Sequence, residues 1–238
     1  MEPATDKRKP NHFHGSYEDD FKPYENGPKS IRGLALWLKR FLITFIPLAA
    51  YELFFTAFAL FHLSGYQAFY TTIATNAPWV LSVFFIISLL YRGTYIVCIF
   101  LTCRILYRAA RNVHTVIPRT IKTTPHEAWF WFFVPFANFY KPFTCVVDIF
   151  QGTNRSLGLR ENVSERLMPW WIIFIVSVVI GTFTIQATGV NFFYLNLIFD
   201  VASGILAIVA SVMFIRIISW LSSKQEEMLT GGVAGIFD

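Results

Sequence analysis

Four apolar runs, each long enough to cross a lipid bilayer, constrain this chain more than any other feature. A helix needs ~20 largely apolar residues to cross the ~30 Å hydrocarbon core of a membrane. Runs of this kind cover residues 41–63, 79–102, 170–187 and 195–221. Hydrophobic residues make up 55% of the chain and charged residues only 15%, which is too apolar for an ordinary soluble surface. The sequence therefore predicts an all-α integral membrane protein with four transmembrane helices.

A fifth apolar stretch, residues 129–150, is broken by prolines and polar residues. The interruptions are Pro135, Asn138, Lys141 and Pro142. Non-helical backbone is tolerated at membrane depth only where protein or water covers it, because an unpaired amide in lipid costs several kcal/mol. We expect this broken segment to be a re-entrant or interfacial helical segment packed against the four helices, and a fifth span is the alternative.

The two ends of the chain lack this apolar character. Residues 1–30 are rich in Pro, Lys, Asp, Glu and Asn without helical or strand periodicity, which predicts a disordered tail. Residues 31–223 are predicted to form the helical membrane domain, and residues 224–238 a short C-terminal tail. Because a long hydrophilic stretch precedes the first apolar run, we expect that run to remain as a membrane anchor.

Lysine and arginine are distributed unevenly among the segments that join the runs. Apart from Arg92 and Lys141, all of them lie in the N-terminal tail, in the segments flanking the broken segment, or near the end of the fourth run. Residues 64–78 and 188–194 contain none. Short cytoplasmic loops are enriched in Lys and Arg. If the broken segment enters and leaves the membrane by the same face, all the loops that contain Lys or Arg lie on one side of the membrane. We therefore predict a cytoplasmic N-terminus.

Four charged residues are predicted at membrane depth, where an ionisable side chain needs a partner or a role. They are Glu52, Arg92, Lys141 and Asp200. Glu52 and Arg92 lie at similar distances from the cytoplasmic ends of their helices, roughly 17 Å at 1.5 Å per residue. They are predicted to form an ion pair that joins two helices, and a proton or ion relay is the alternative.

Asp200 and Lys141 have less defined surroundings. Asp200 begins a helical face of small residues that we expect to point into the bundle. The other members of this face are Ser203, Ala207 and Ser211. Lys141 could meet Asp200, Asp148 or a lipid phosphate, and the sequence does not choose among them.

Three arginines continue the second helix beyond its apolar run. Arg104, Arg108 and Arg111 follow one another at spacings of four and three, which places them on one face of a helix. Anionic lipid headgroups are the simplest partner for a basic stripe next to a membrane. No nucleic-acid-binding motif accompanies the stripe, so nucleic acid is not an expected partner.

No catalytic, metal or cofactor site is predicted. The sequence contains no recognisable set of nucleophile, base and orienting group, no phosphate-binding glycine loop and no dinucleotide fingerprint. We therefore expect no enzymatic activity. Cys98, Cys103 and Cys145 lie in or beside apolar runs without Cys-x-x-Cys or Cys/His spacing, so they are expected to be buried free thiols.

The centre of the broken segment carries a family resemblance. The run WFFVPFANFYKP, with Arg108 and Asn112 upstream and a Trp-Trp pair downstream, resembles the bacterial domain-of-unknown-function family 4328. The positions that match its motif are Trp131, Pro135, Asn138 and Pro142, and Asp148 stands where the family would lead us to expect Glu. The resemblance covers roughly residues 80–220 and implies a small multi-pass protein of the bacterial inner (plasma) membrane, in a family without an assigned activity.

Two functional hypotheses follow. The first is a membrane-embedded binding or scaffold component with a basic cytoplasmic face, whose partners are lipid, other membrane proteins or a second copy of the chain. The second is a small transporter or ion pathway that uses the four charged residues at membrane depth.

Overall fold

Every long element of the protein is an α-helix. The computed structural model describes residues 24, 27–61, 73–118, 120–186 and 193–234, and no strand occurs among them. The elements in chain order are α1 (Arg32–Phe61), α2 (Pro78–Val116), α3 (Glu127–Phe130), two 3-10 turns (Trp131–Phe133 and Ala137–Phe139), α4 (Lys141–Ser156), α5 (Val163–Gln186) and α6 (Phe193–Ala234). The predicted all-α fold class is confirmed.

Four of these helices, α1, α2, α5 and α6, are long and apolar enough to cross a bilayer. They coincide with the four predicted spans. The α4 helix has 16 residues of mixed polarity, and it is not among the candidate spans of the described residues. The broken segment therefore comprises α3, the two 3-10 turns and the first part of α4.

All four long helices continue past their apolar runs at the same end of the molecule. Compared with the predicted spans, α1 begins earlier, at Arg32, and α5 begins earlier, at Val163. The other two helices end later, α2 at Val116 and α6 at Ala234. On α2, Ile105, Ala109 and Val113 are buried along one face, while Arg104 lies exposed on another. A hydropathy run stops where charges begin, but a helix continues as long as one face can be buried.

The predicted boundary of the C-terminal tail is wrong. Residues 224–234, assigned to that tail, continue α6, and Gln225 and Met228 within them are buried. The predicted third span, residues 170–187, is likewise extended at its start, because α5 begins at Val163 and contains Pro169. A proline in a helix removes one backbone hydrogen bond, and α5 continues across that break.

The long helices pack in a row. α6 packs along both α1 and α5, and α1 packs along α2, so that the order is α5, α6, α1, α2. The outer two helices, α2 and α5, barely contact each other. α4 packs against α2, α5 and α6 at the end where the helices continue past their apolar runs. A space is therefore left between α2 and α5, beside the broken segment.

Burial divides the molecule into two regions. We call residues 27–40, 104–118, 120–130, 141–169 and 215–231 the base, and residues 41–58, 78–103, 170–182 and 195–214 the belt. Every described side chain with an exposed fraction of 2% or less lies in the base. The belt instead carries large exposed apolar side chains, including Phe54, Trp79, Phe85, Leu89 and Ile96. Such an apolar outer surface suits a lipid solvent.

Candidate functional site: an apolar cavity closed by the broken segment

The broken segment reverses direction at Pro135 and Phe136. The backbone N–H of Ala137 donates to the Pro135 carbonyl at 2.7 Å, and the N–H of Asn138 donates to the Val134 carbonyl at 3.0 Å. Phe136 has a φ of 62°, a left-handed conformation that is uncommon for a bulky residue. Its side chain is 84% exposed, so the tip of the turn presents an aromatic ring to the surroundings.

Side-chain contacts hold the turn in place. The indole N–H of Trp171 on α5 donates to the Phe139 carbonyl at 2.9 Å. The ammonium of Lys141 lies 5.3 Å from the Trp131 ring centroid and 5.8 Å from that of Tyr140. Such cation–π contacts favour one arrangement of the rings. Pro142 is buried in the first turn of α4, where a missing backbone N–H costs little.

The rest of α4 is fixed to the segment that follows α2. One carboxylate oxygen of Asp148 accepts hydrogen bonds from the backbone N–H groups of Lys122 and Thr123, both at 2.8 Å. A Cβ at Gly152 would lie 2.8 Å from Val113 and closer still to Ile121. Glycine therefore allows α4 to approach α2 at this point.

A buried polar network joins three helices of the base. The Asn112 amide donates to the Lys29 carbonyl at 2.8 Å and to the Gln225 side chain at 2.9 Å, and its oxygen accepts from the Lys29 N–H at 2.9 Å. Gln225 in turn donates to the Thr153 hydroxyl at 2.8 Å. Asn112 thus connects the residues before α1 with α2, α4 and α6.

Between α2 and α5 lies a cavity of about 280 Å³, closed at its base end by the broken segment. Its lining is largely apolar and aromatic, and includes Phe45, Tyr95, Phe132, Phe139, Phe174 and Phe214. The hydroxyls of Thr102, Ser177 and Ser211 also line it, but each donates to a helix carbonyl, at distances of 2.8 to 3.0 Å. These hydroxyls therefore add little polarity to the cavity.

Asn138 is the exception in this lining. Its Oδ1 atom is buried and accepts no hydrogen bond from any residue that the structure describes. A buried carbonyl without a partner costs about 1–3 kcal/mol. Asn138 therefore places an unsatisfied acceptor in the wall of the cavity, at the end closed by the broken segment.

A family model described as a domain of unknown function (DUF4328) matches residues 71–223. The chain belongs to this family. The matched range agrees with the residues 80–220 expected from the motif, so the resemblance is confirmed. Comparison with curated proteins and with solved structures finds no match. The family domain includes α2 to α5, the broken segment and most of α6, and therefore both sides of the cavity.

The family motif residues have separate structural roles. The Trp131 ring contacts the Lys141 ammonium, and Pro142 lies in the first turn of α4. Pro135 lies in the turn that brings Asn138 to the cavity. Arg108 and Asn112, upstream of the motif, lie in the base and hold the residues that precede α1. The motif thus builds the closed end of the cavity, which the sequence alone did not indicate.

The predicted ion pair between Glu52 and Arg92 is not present. Glu52 accepts a hydrogen bond from the Ser88 hydroxyl, and the Arg92 side chain is exposed. Within the described part of the chain, ion pairs closer than 4 Å join Arg166 to Glu161 and Lys224 to Glu227. The depth estimate was compatible with a contact, but the Arg92 side chain is exposed at the edge of the face of α2 that carries Ser88.

The neighbours of Ser88 show which face of α2 meets α1. Phe84 stacks on Phe55 with ring centroids 4.2 Å apart, and Tyr91 stacks on Phe45 at 4.9 Å. Phe84, Ser88 and Tyr91 follow at spacings of four and three, which is one helix face. Arg92 lies at the edge of this face, about 40° round the helix from Ser88 and about 100° from Tyr91.

The other two charged residues also lie apart from the cavity. Lys141 contacts Trp131 and Tyr140, so its predicted partners Asp148 and lipid phosphate are not needed to explain its position. Asp200 is exposed near the start of α6. The face that follows it does point inward, since Ser203 accepts from Ser177 on α5 and both Ala207 and Ser211 line the cavity.

The basic stripe has partners inside the protein. Arg108 donates to the Ser30 carbonyl at 3.0 Å, and the Arg111 guanidinium lies 4.0 Å from the Tyr24 ring centroid. Arg104 is exposed near Phe100. Contact with lipid headgroups stays a prediction, and of the three arginines Arg104 is the one best placed for it.

These contacts also correct the predicted N-terminal tail. Lys29 and Ser30, assigned to a disordered tail, pack on α2 through Asn112 and Arg108, and Ser30 also donates to Glu226 on α6. Residues 1–23, 25 and 26 lie outside the described residues.

Proposed function

We propose that this protein is a membrane-embedded binding protein that holds the apolar chain of an amphiphile between α2 and α5. The observation that carries the proposal is an apolar cavity with one buried acceptor, Asn138 Oδ1, that no described residue satisfies. Binding sites for small molecules typically combine an apolar lining with a few convergent polar groups. Asn138 is the polar group in the position to orient a ligand.

The cavity limits the size and chemistry of the ligand. Its volume of about 280 Å³ is slightly below the ~300–1,000 Å³ of typical small-molecule sites, so it suits a short chain or part of a lipid tail. Because Asn138 Oδ1 can only accept, the ligand needs a donor such as a hydroxyl or amide N–H. A plain alkane would leave the buried oxygen unsatisfied.

The proposed setting is the inner membrane of a bacterial cell, with the base at the cytoplasmic surface. The uneven distribution of Lys and Arg supports this orientation. In this setting the cavity lies in the cytoplasmic leaflet, and exposed basic residues such as Arg104 face anionic lipid headgroups. The ion-pathway hypothesis has less support, because none of its four charged residues lines the cavity.

Photo-crosslinking of the full-length protein in detergent micelles tests the proposal. The probe is a medium-chain fatty alcohol that carries a diazirine on its alkyl chain, and the comparison probe is the matching alkane. Crosslinking to peptides of α2 and α5 by the alcohol, in excess over the alkane, is expected. Ala207→Phe fills the cavity and should abolish this crosslinking, while Val209→Phe places the same aromatic ring on the exposed face of α6 and should not.

Asn138→Leu separates the two parts of the proposal. This variant keeps the apolar cavity but removes the acceptor, so it should bind alcohol and alkane equally. Equal crosslinking of Ala207→Phe and Val209→Phe would show that the probe samples only the outer surface, and the proposed function would be wrong.

The native cysteines give a second measurement without a crosslinker. Cys103 lines the cavity, so bound alcohol should slow its modification by a small uncharged maleimide. Cys145 lies in the base, where burial raises the pKa of its thiol to about 11 and keeps it protonated and unreactive near neutral pH. Protection of Cys103 should be absent in Ala207→Phe.

A further inference from the structure

A second cavity, of about 340 Å³, lies in the base between the start of α1 and the end of α6. In contrast to the cavity between α2 and α5, most of the residues that line it are polar or charged. The polar lining residues are Arg32, Lys39, Ser219, Ser222, Ser223 and Glu226. We call it the base cavity.

Helical spacing brings these side chains together. Arg32 and Lys39 are seven residues apart, two turns along one face of α1. Ser219, Ser222 and Glu226 follow at spacings of three and four on α6. The hydrogen bond from Ser30 to Glu226 sets the start of α1 beside the outer end of this row. Because α1 and α6 pack along each other, Lys39 lies towards the belt and Glu226 towards the outside.

The two cations of the base cavity have no carboxylate within ion-pair distance. The ion pairs that join described residues involve neither Arg32 nor Lys39. The carboxylate of Glu226 accepts the Ser30 hydroxyl at the outer end of the cavity. Among the described residues, no carboxylate therefore lies close enough to Arg32 or Lys39 to form an ion pair.

Ser222 supplies a donor at the same place. Its exposed fraction is only 8%, and its hydroxyl makes no hydrogen bond to any described residue. A serine hydroxyl in the wall of a cavity can donate a hydrogen bond to a bound ligand. Ser219 differs, because its hydroxyl already donates to the Ile215 carbonyl at 2.7 Å.

We propose that the base cavity binds a phosphate group, held by Lys39, Arg32 and the Ser222 hydroxyl. Ammonium and guanidinium groups form short charge-assisted hydrogen bonds to phosphate oxygens, and a serine hydroxyl adds a neutral one. Lys39 lies two residues before Phe41, the first residue of the belt, so the phosphate sits at the level of lipid headgroups. An anionic phospholipid or a soluble phosphate compound could supply this group.

Thermal unfolding of the purified full-length protein in detergent micelles tests the site and separates the two sources. The probes are dioctanoyl phosphatidylglycerol, dioctanoyl phosphatidylcholine and inorganic phosphate. Phosphatidylglycerol should raise the unfolding temperature at lower concentration than phosphatidylcholine, because its headgroup carries no cation to oppose Lys39 and Arg32. If inorganic phosphate protects equally well, the phosphate site stands and its ligand is soluble.

Variants assign the effect to the base cavity. Lys39→Met should weaken the response to phosphatidylglycerol about tenfold, the loss expected for one charge-assisted hydrogen bond. Ser222→Ala should weaken it less, and it changes too little volume to prevent folding. Glu226→Gln should strengthen it, since a carboxylate that repels the phosphate is removed. Arg160→Ala removes the same charge as Lys39→Met from an exposed position outside the cavity and should leave the response unchanged.

Three results would overturn the proposal. The first is an unfolding temperature of the purified protein that none of the three probes changes. The second is an equal loss of response in Lys39→Met and Arg160→Ala, and the third is an undiminished response in Ser222→Ala. Ala207→Phe, which fills the other cavity, should respond as the unmodified protein does.

Discussion

The base and the belt are built from the same four long helices, but they hold their helices together differently. In the base, side-chain hydrogen bonds cross between elements, as in the chain from Asn112 through Gln225 to Thr153. In the belt, most hydroxyls bond to their own helix, as Thr102 does to the Cys98 carbonyl. Ser88 and Ser177 are the belt hydroxyls that bond to another helix.

The difference follows from the solvent of each region. Lipid is as apolar as a leucine side chain, so apolar burial does not drive the helices of the belt together. The base has a hydrophobic core whose side chains would otherwise meet water, and burial there stabilises the fold. The belt can therefore keep a cavity between α2 and α5. In the base, many side chains of the core have exposed fractions near zero, and the same helices leave no such space between them.

The largest expected difference is between two identical truncations. Leu221→Ala in the base removes a fully buried side chain and should lower the free energy of unfolding by about 3–4 kcal/mol. Leu89→Ala in the belt removes a side chain that is 61% exposed, and should change it by less than ~0.5 kcal/mol. Denaturant titration in the same detergent measures both. Equal losses would remove the distinction between base and belt.

A second expected effect concerns the polar network of the base. Asn112→Leu leaves the Gln225 amide and the Lys29 backbone groups without their partner, and should cost about 2–3 kcal/mol. Ser88→Ala, which removes a hydrogen bond between helices in the belt, should cost about 0.5–1 kcal/mol. The same titration serves for both variants. A smaller loss for Asn112→Leu than for Ser88→Ala would contradict the assignment of the network.

A third expected effect is a change of sign between two glycines. Gly152→Ala would bring a Cβ against Val113 and Ile121, and should destabilise the protein by about 1–3 kcal/mol. Gly93→Ala in the belt meets no atom within 4 Å and should stabilise α2 by about 0.5–1 kcal/mol through helix propensity alone. Thermal unfolding of the two variants is sufficient to compare the signs. Stabilisation by Gly152→Ala would show that α4 packs less closely on α2.

Hydropathy and length predicted the four helices of the belt, because a bilayer requires runs of that kind. They did not predict the base, whose helices are amphipathic and carry charges beside buried residues such as Ile105 and Met228. An amphipathic pattern at residues 104–116 and 224–231 was the available signal. The partner of Asn112, by contrast, is 113 residues away in the chain, and no local pattern indicates such a contact.

The Glu52 and Arg92 prediction shows a related limit. Residue counting gives the depth of a side chain along a helix, and both residues were placed at a similar depth. It does not show which side chains at the edge of a face turn towards the neighbouring helix, and Arg92, beside the face marked by Phe84 and Tyr91, stays exposed. Likewise, Pro135 and Asn138 could be recognised as unusual, but not as the closed end of a cavity.

Cysteine accessibility on intact cells tests most directly whether the base faces the cytoplasm and the belt lies in lipid. The variants carry a single cysteine at Leu159 or Thr230 in the base, or at Phe85 in the belt, in a background without Cys98, Cys103 and Cys145. A membrane-impermeant maleimide should label Leu159→Cys and Thr230→Cys only after the membrane is permeabilised, and should not label Phe85→Cys in either case. Labelling of both base positions on intact cells would contradict this orientation, and labelling of Phe85→Cys would contradict a lipid-covered belt.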